Sequence, residues 1–190
     1  MSIFINLNMT IMKKLIILIT LYLGISATVP LMAQQWQTPV IDGYGKIKDF
    51  KDAAVQPATN QEYRILFHLA NDKQKDGVNA GLWHIARQVN LFGVSGVDPE
   101  NVKIVAVVSG DATPLVMTNE AYHKKFGMDN PNMDLMKKLT DYGVTIQVCG
   151  QAAAEHELDV KKDVNSFTQL TLSALIDIPV YQMKGYVVMF

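Results

Sequence analysis

One residue in this chain has side-chain chemistry that no other position duplicates: Cys149, the single cysteine. It ends the run Val144, Thr145, Ile146, Gln147, Val148, whose β-branched content predicts a buried strand. Gly150 follows as a turn. The segment Gln151, Ala152, Ala153, Ala154, Glu155 then reads as the opening of a helix, because alanine is the strongest helix former. A thiol at such a junction sits near the positive end of a helix dipole, which favours thiolate and raises nucleophilicity. A free cysteine is also among the residues most often packed as a small hydrophobe. Position alone leaves both readings of Cys149 open.

A second group of polar residues falls where other predicted strands stop. Asp72 follows the first strand, and Ser109, Gly110 and Asp111 follow the second. Parallel strands deliver their carboxyl ends to one edge, so Asp72, Ser109, Asp111 and Cys149 are expected to converge there. Ser109, Gly110, Asp111 and Gly150 are the binding candidates. For the aspartates, a cap or turn role is the plainer alternative. The four histidines are scattered singly, and His84 and His156 read as surface residues. His156 lies roughly 10 Å from Cys149 along an ideal helix axis, too far for a direct pair. Histidine-carboxylate metal spacing, phosphate-binding glycine loops and a GxSxG elbow are all absent, so neither a metal nor a cofactor is expected.

These residues need a scaffold. Strands are predicted over 63–69, 102–108, 144–148, 166–170 and 186–190. Helices are predicted over 77–91, over the second part of 113–126 with Gly127 as its stop, and from an Asn130 cap with Pro131 at the first helical position to Gly143. A last helix spans 172–184 and is disturbed by Pro179. Strands alternating with helices through short connections specify an α/β fold: three layers around a mostly parallel sheet. Residues 34–62 carry spaced glycines and prolines with little periodicity. They read as an extended arm wrapping the domain, with Trp36, Tyr44 and Phe50 as anchors.

The chain has 190 residues, 49% hydrophobic and 18% charged, enough for one domain with a full core. Its net charge is −1, with no basic block, so no nucleic-acid partner is expected. Lys13 and Lys14 precede an apolar run from Leu15 to Leu23, followed by small residues and Leu31, Met32, Ala33. That is the plan of a secretory signal peptide over residues 1–33, cleaved after Ala33, with a retained membrane anchor as the competing reading. No cysteine follows the apolar run, which excludes a lipoprotein anchor. Cleavage would leave 15 basic and 18 acidic residues, a net charge of −3. The expected location is periplasmic or secreted, with no membrane contact after cleavage. In that oxidising compartment a lone cysteine is buried, paired with another molecule, or poised to react.

The order VAVVSG, DNPN, a helix, GVTIQVCGQAA, a closing helix and GYVVM resembles the DsrE/DsrF-like family of small α/β proteins, over residues 63–190. The resemblance implies a flavodoxin-like or Rossmann-like layered fold and assembly into homo-oligomers, trimers or hexamers. Relatives that relay sulfur carry it as a persulfide on the cysteine after this strand, which Cys149 matches. A sulfur donor or acceptor protein would then be a partner. Many relatives have a histidine where this chain has Ser109, and basic residues where it has Glu155, His156 and Glu157.

Overall fold

A computed structural model describes residues 35–189, and the segment read as a signal peptide lies outside them. Among the described residues no helix is long and apolar enough to cross a membrane. β1 (Tyr63–Leu69) is followed by a small hairpin, β2 (Gln74–Lys75) and β3 (Val78–Asn79), then α1 (Ala80–Val94). β4 (Val102–Val108) leads through a 3-10 segment (Gly110–Val116) to α2 (Asn119–Phe126) and α3 (Met133–Tyr142). β5 (Thr145–Cys149), α4 (Gly150–Glu155), β6 (Thr168–Thr171), α5 (Ala174–Met183) and β7 (Val187–Met189) complete the chain.

The five longer strands form one sheet in the order β6-β5-β4-β1-β7, and every pairing is parallel. Alternation along each strand sends side chains to opposite faces. Ile65, Phe67, Ile104, Ala106, Val108, Ile146 and Val148 enter the larger core, where α1 and α3 contribute Leu82, Ile85, Leu135 and Leu139. Leu66, Val105, Val107 and Cys149 face the other way, into a smaller cluster closed by Ala174, Ile178 and Tyr181 of α5. The expected three-layer α/β fold is therefore present, with α1 and α3 on one face and α5 on the other.

Several boundaries differ from expectation for identifiable reasons. The helix expected from residue 77 starts at Ala80. Asp76 and Gly77 both adopt positive φ, 50° and 84°, and close the β2-β3 hairpin, a tight-turn signal that outranks helical periodicity. Asn79 then caps α1, accepting from the amides of Gly81 and Leu82. Asn130 does not cap α3. It is buried in the loop, donating through Nδ2 to the carbonyls of Leu115 and Met117 at 2.8 and 2.7 Å, and Asn132 occupies the cap position. β6 starts at Thr168 because Asn165 ties the preceding residues into a turn, its Oδ1 accepting from the Phe167 amide and the Thr168 hydroxyl. α5 runs through Pro179. The carbonyl four residues earlier belongs to Leu175, a residue exposed to solvent, which eases the missing bond.

Residues 36–62 are fastened to the sheet domain by side chains other than the expected aromatics. Ile41 and Ile47 are buried, whereas Trp36 and Phe50 are exposed and Tyr44 packs only partly against the core. Asn90 of α1, fully buried, holds the arm from four sides. Its Oδ1 accepts from the amides of Val40 and Ile41, and its Nδ2 donates to the carbonyls of Tyr44 and Gly45. Gly45 has to be glycine: a Cβ there would lie 2.2 Å from the Arg87 amide nitrogen.

Candidate functional site

Cys149 is both the last residue of β5 and the N-cap of α4. Its Sγ accepts from the Ala152 amide at 3.5 Å and lies 3.9 Å from the hydroxyl oxygen of Ser173, to which the thiol donates. Ser173 is in turn the N-cap of α5, accepting from the Leu175 amide. Two helix N-termini therefore meet at one sulfur. Burial pushes the thiol pKa up, but the amides of Ala152, Ala174 and Gln151 and the Ser173 hydroxyl outweigh it, and the net shift is downward. No carboxylate contributes to that shift. The residue is only 5% exposed, so the thiolate is stabilised in a nearly closed setting.

The sheet register decides which neighbours share this setting. β4 pairs with β5 at Val108 and Val148, so one residue further Ser109 comes level with Cys149. Alternation puts both on the α5 face, together with His68 of β1, which follows Leu66 by two residues. His68 Nε2 and Ser109 Oγ are 2.8 Å apart. Burial lowers the His68 pKa, so the imidazole is neutral at neutral pH. Reading the sequence as separate motifs missed His68 as a site residue. The available signal was its odd-numbered spacing from the inward-facing core residues Phe67 and Leu69, which puts it on the cysteine's side of the sheet.

The expected convergence of strand-end residues divides between the two faces. Asp72 and Asp111 line a separate hollow of about 590 Å³ with His156 and Tyr122, whereas Ser109 and Cys149 are on the α5 side. Gly110 has φ 52° and forms the turn after β4, its carbonyl accepting from His156 Nε2 and the Thr113 hydroxyl. Gly150 is held to glycine by close approach, since a Cβ would lie 2.7 Å from the Thr171 carbonyl oxygen. Both glycines thus have backbone reasons for their identity. Among the described residues no group of histidine, cysteine, aspartate or glutamate is arranged to hold a metal ion.

The family profile described as DsrE/DsrF-like matches residues 55–190, most of the chain and all of the sheet. The chain belongs to the DsrE/DsrF-like family. No curated protein matches the sequence. Among solved structures, it is similar to a protein of unknown function, MTH1491, from Methanobacterium thermoautotrophicum, with a TM-score of 0.53 and 20% identity. That alignment covers 67% of this chain and 98% of the other. At this identity the likeness is one of fold. Within this DsrE-family chain, the site built around Cys149 has the imidazole of His68 bonded to Ser109, the position where the resemblance led to an expectation of histidine. The arm up to residue 54 precedes the matched region.

Proposed function

We propose that this DsrE-family protein carries sulfane sulfur on Cys149 as a persulfide. The observation that supports it most directly is the sulfur's position between two helix N-termini, with amides and a hydroxyl lowering its pKa. In the proposed step the Cys149 thiolate attacks the outer sulfur of a donor persulfide, R–S–SH. The donor S–S bond breaks, a new S–S bond forms at Cys149, and R–S⁻ departs to take up the proton that the thiol released. The sulfane sulfur is transferred without net oxidation. His68, neutral and bonded to Ser109 on the same sheet face, is a base suited to hold that proton in transit.

The wider setting is part of the same proposal. The signal-peptide plan of residues 1–33 supports export to the periplasm or beyond. Assembly into a homo-oligomer is supported by the outward apolar side chains Leu172, Leu175, Met183 and Val187, which are 64–84% exposed around α5. A burial of 95% favours a second reading, in which Cys149 only packs and the protein is a noncatalytic binding or assembly module.

Mass spectrometry after incubation with a low-molecular-weight persulfide separates the two. Sulfur transfer predicts a gain of one sulfur atom on the native protein, reversed by a thiol acceptor and absent in Cys149→Ser. An unchanged mass in the native protein, with a thiol that reacts only after unfolding, selects the packing role.

A further inference from the structure

The arm, most of which precedes the matched family region, forms one wall of a hollow that the sulfur chemistry does not use. The hollow measures about 480 Å³, within the range of roughly 300–1,000 Å³ typical of small-molecule sites. Phe50 and Val55 line it from the arm, Leu91 from the last turns of α1, and Tyr63 and Phe92 from its base, where their rings meet at 4.7 Å. Phe50, Val55 and Leu91 are 63%, 88% and 43% exposed. Scattered apolar side chains on a surface are ordinary, but three large ones converging on one concavity are not.

The lining also contains an incomplete polar group. Gln88 of α1 borders the hollow, and its Oε1 is buried with no donor among the described residues. A buried acceptor left unpaired is uncommon and costly. Because the oxygen is itself enclosed, a ligand reaches it once the amide turns about its broad terminal torsion. Lys48 and Asp49, of opposite sign, are the charged residues of the lining and give it no net charge.

We infer that this hollow is a binding site for a neutral, largely apolar small molecule with one hydroxyl or N–H group, which donates to Gln88 Oε1. Apolar walls supply the affinity, and the unpaired oxygen selects for a donor over an otherwise equal molecule without one. A charged headgroup would be excluded by the apolar walls and the balanced Lys48 and Asp49. The site is independent of Cys149, on the opposite side of the sheet from the α5 cluster.

The test uses the full chain and two fluorescent probes titrated at neutral pH: 2-naphthol, and its methyl ether 2-methoxynaphthalene, which lacks the donor and carries one more methyl group. The expected result is about tenfold tighter binding of the naphthol, the scale of satisfying one buried acceptor. Gln88→Met, similar in volume and without the oxygen, should bind the naphthol no more tightly than its ether. Leu91→Glu, at an exposed helix position that tolerates a charge, should weaken both by tenfold or more. Equal affinities in the unaltered chain, a preference that survives in Gln88→Met, binding that survives in Leu91→Glu, or no binding of either probe would each overturn the inference.

Discussion

His68 and Ser109 come from neighbouring parallel strands and share a hydrogen bond of 2.8 Å on the same sheet face as Cys149. A carboxyl-terminal strand position that the family resemblance would fill with histidine is filled here by serine, and the imidazole arrives from the next strand instead. The burial of His68 has a pH signature. Burial lowers the folded pKa of His68, so on acidification the unfolded chain takes the proton first. The stabilising contribution is complete above the unfolded value of about 6.5 and is lost as pH falls through the lower folded value. In His68→Gln that loss should vanish, making the difference in unfolding free energy between the two proteins vary with pH only in this window. Stability curves that stay parallel from neutral pH to pH 4 would contradict it.

The thiol should titrate early. Its rate of alkylation in the native protein is expected to rise with pH around a midpoint below that of the unfolded chain, because the Ala152, Ala174 and Gln151 amides and Ser173 hydroxyl favour thiolate. Stopped-flow or discontinuous labelling across pH 5–10 measures this directly, with Cys149→Ser as the blank.

Ser173 serves two neighbours at once, and its substitution should register in both. Ser173→Ala removes the cap of α5 and a hydroxyl beside the sulfur. The expected cost is about 1 kcal/mol in unfolding free energy, accompanied by an upward shift of the alkylation midpoint. A loss of stability with no change in the midpoint would mean that Ser173 acts as a cap alone.

Gly150 offers a test of packing against ligand binding. Gly150→Ala places a methyl 2.7 Å from the Thr171 carbonyl oxygen, a backbone atom that cannot rotate away. Destabilisation of about 1–3 kcal/mol is expected from such overpacking, read by thermal unfolding without any ligand present.

The arm should be releasable by a change at either of two positions. Asn90→Leu removes four hydrogen bonds that fasten it, and Gly45→Ala drives a methyl into the α1 backbone at Arg87. Limited proteolysis is expected to cut both variants within residues 36–62 well before the sheet, whereas the unaltered protein should resist at the same protease concentration.

The sheet was legible from the sequence because its strands are short β-branched runs separated by helical periodicity. β1 and β4 begin and end where the pattern places them. Sites where a polar side chain overrides local propensity were less legible. Asn165 delays β6, Asn130 organises a loop instead of a helix, and Asn90 rather than an aromatic fastens the arm. Each works through contacts distant in sequence or through a turn geometry that composition does not specify. At the site, Cys149 was visible as the sole thiol, and Ser109 as a strand-end residue. Their shared face, and the exclusion of Asp111 from it, depend on strand register, which requires pairings between segments about forty residues apart.

The start of α5 over the smaller face sets a conflict between acidity and access. The Ala174 amide and Ser173 hydroxyl that help ionise Cys149 belong to the start of α5, and the same turn helps to enclose the sulfur. Lifting it would admit a bulky reactant while withdrawing part of the stabilisation of the thiolate. A slender donor that can slip past the closed turn meets the more ionised sulfur, and one that needs the turn raised meets a weaker acid. Reaction rates across donors of increasing girth would therefore measure how often the first turn of α5 comes undone, turning the thiol into a built-in reporter of the helix's fraying.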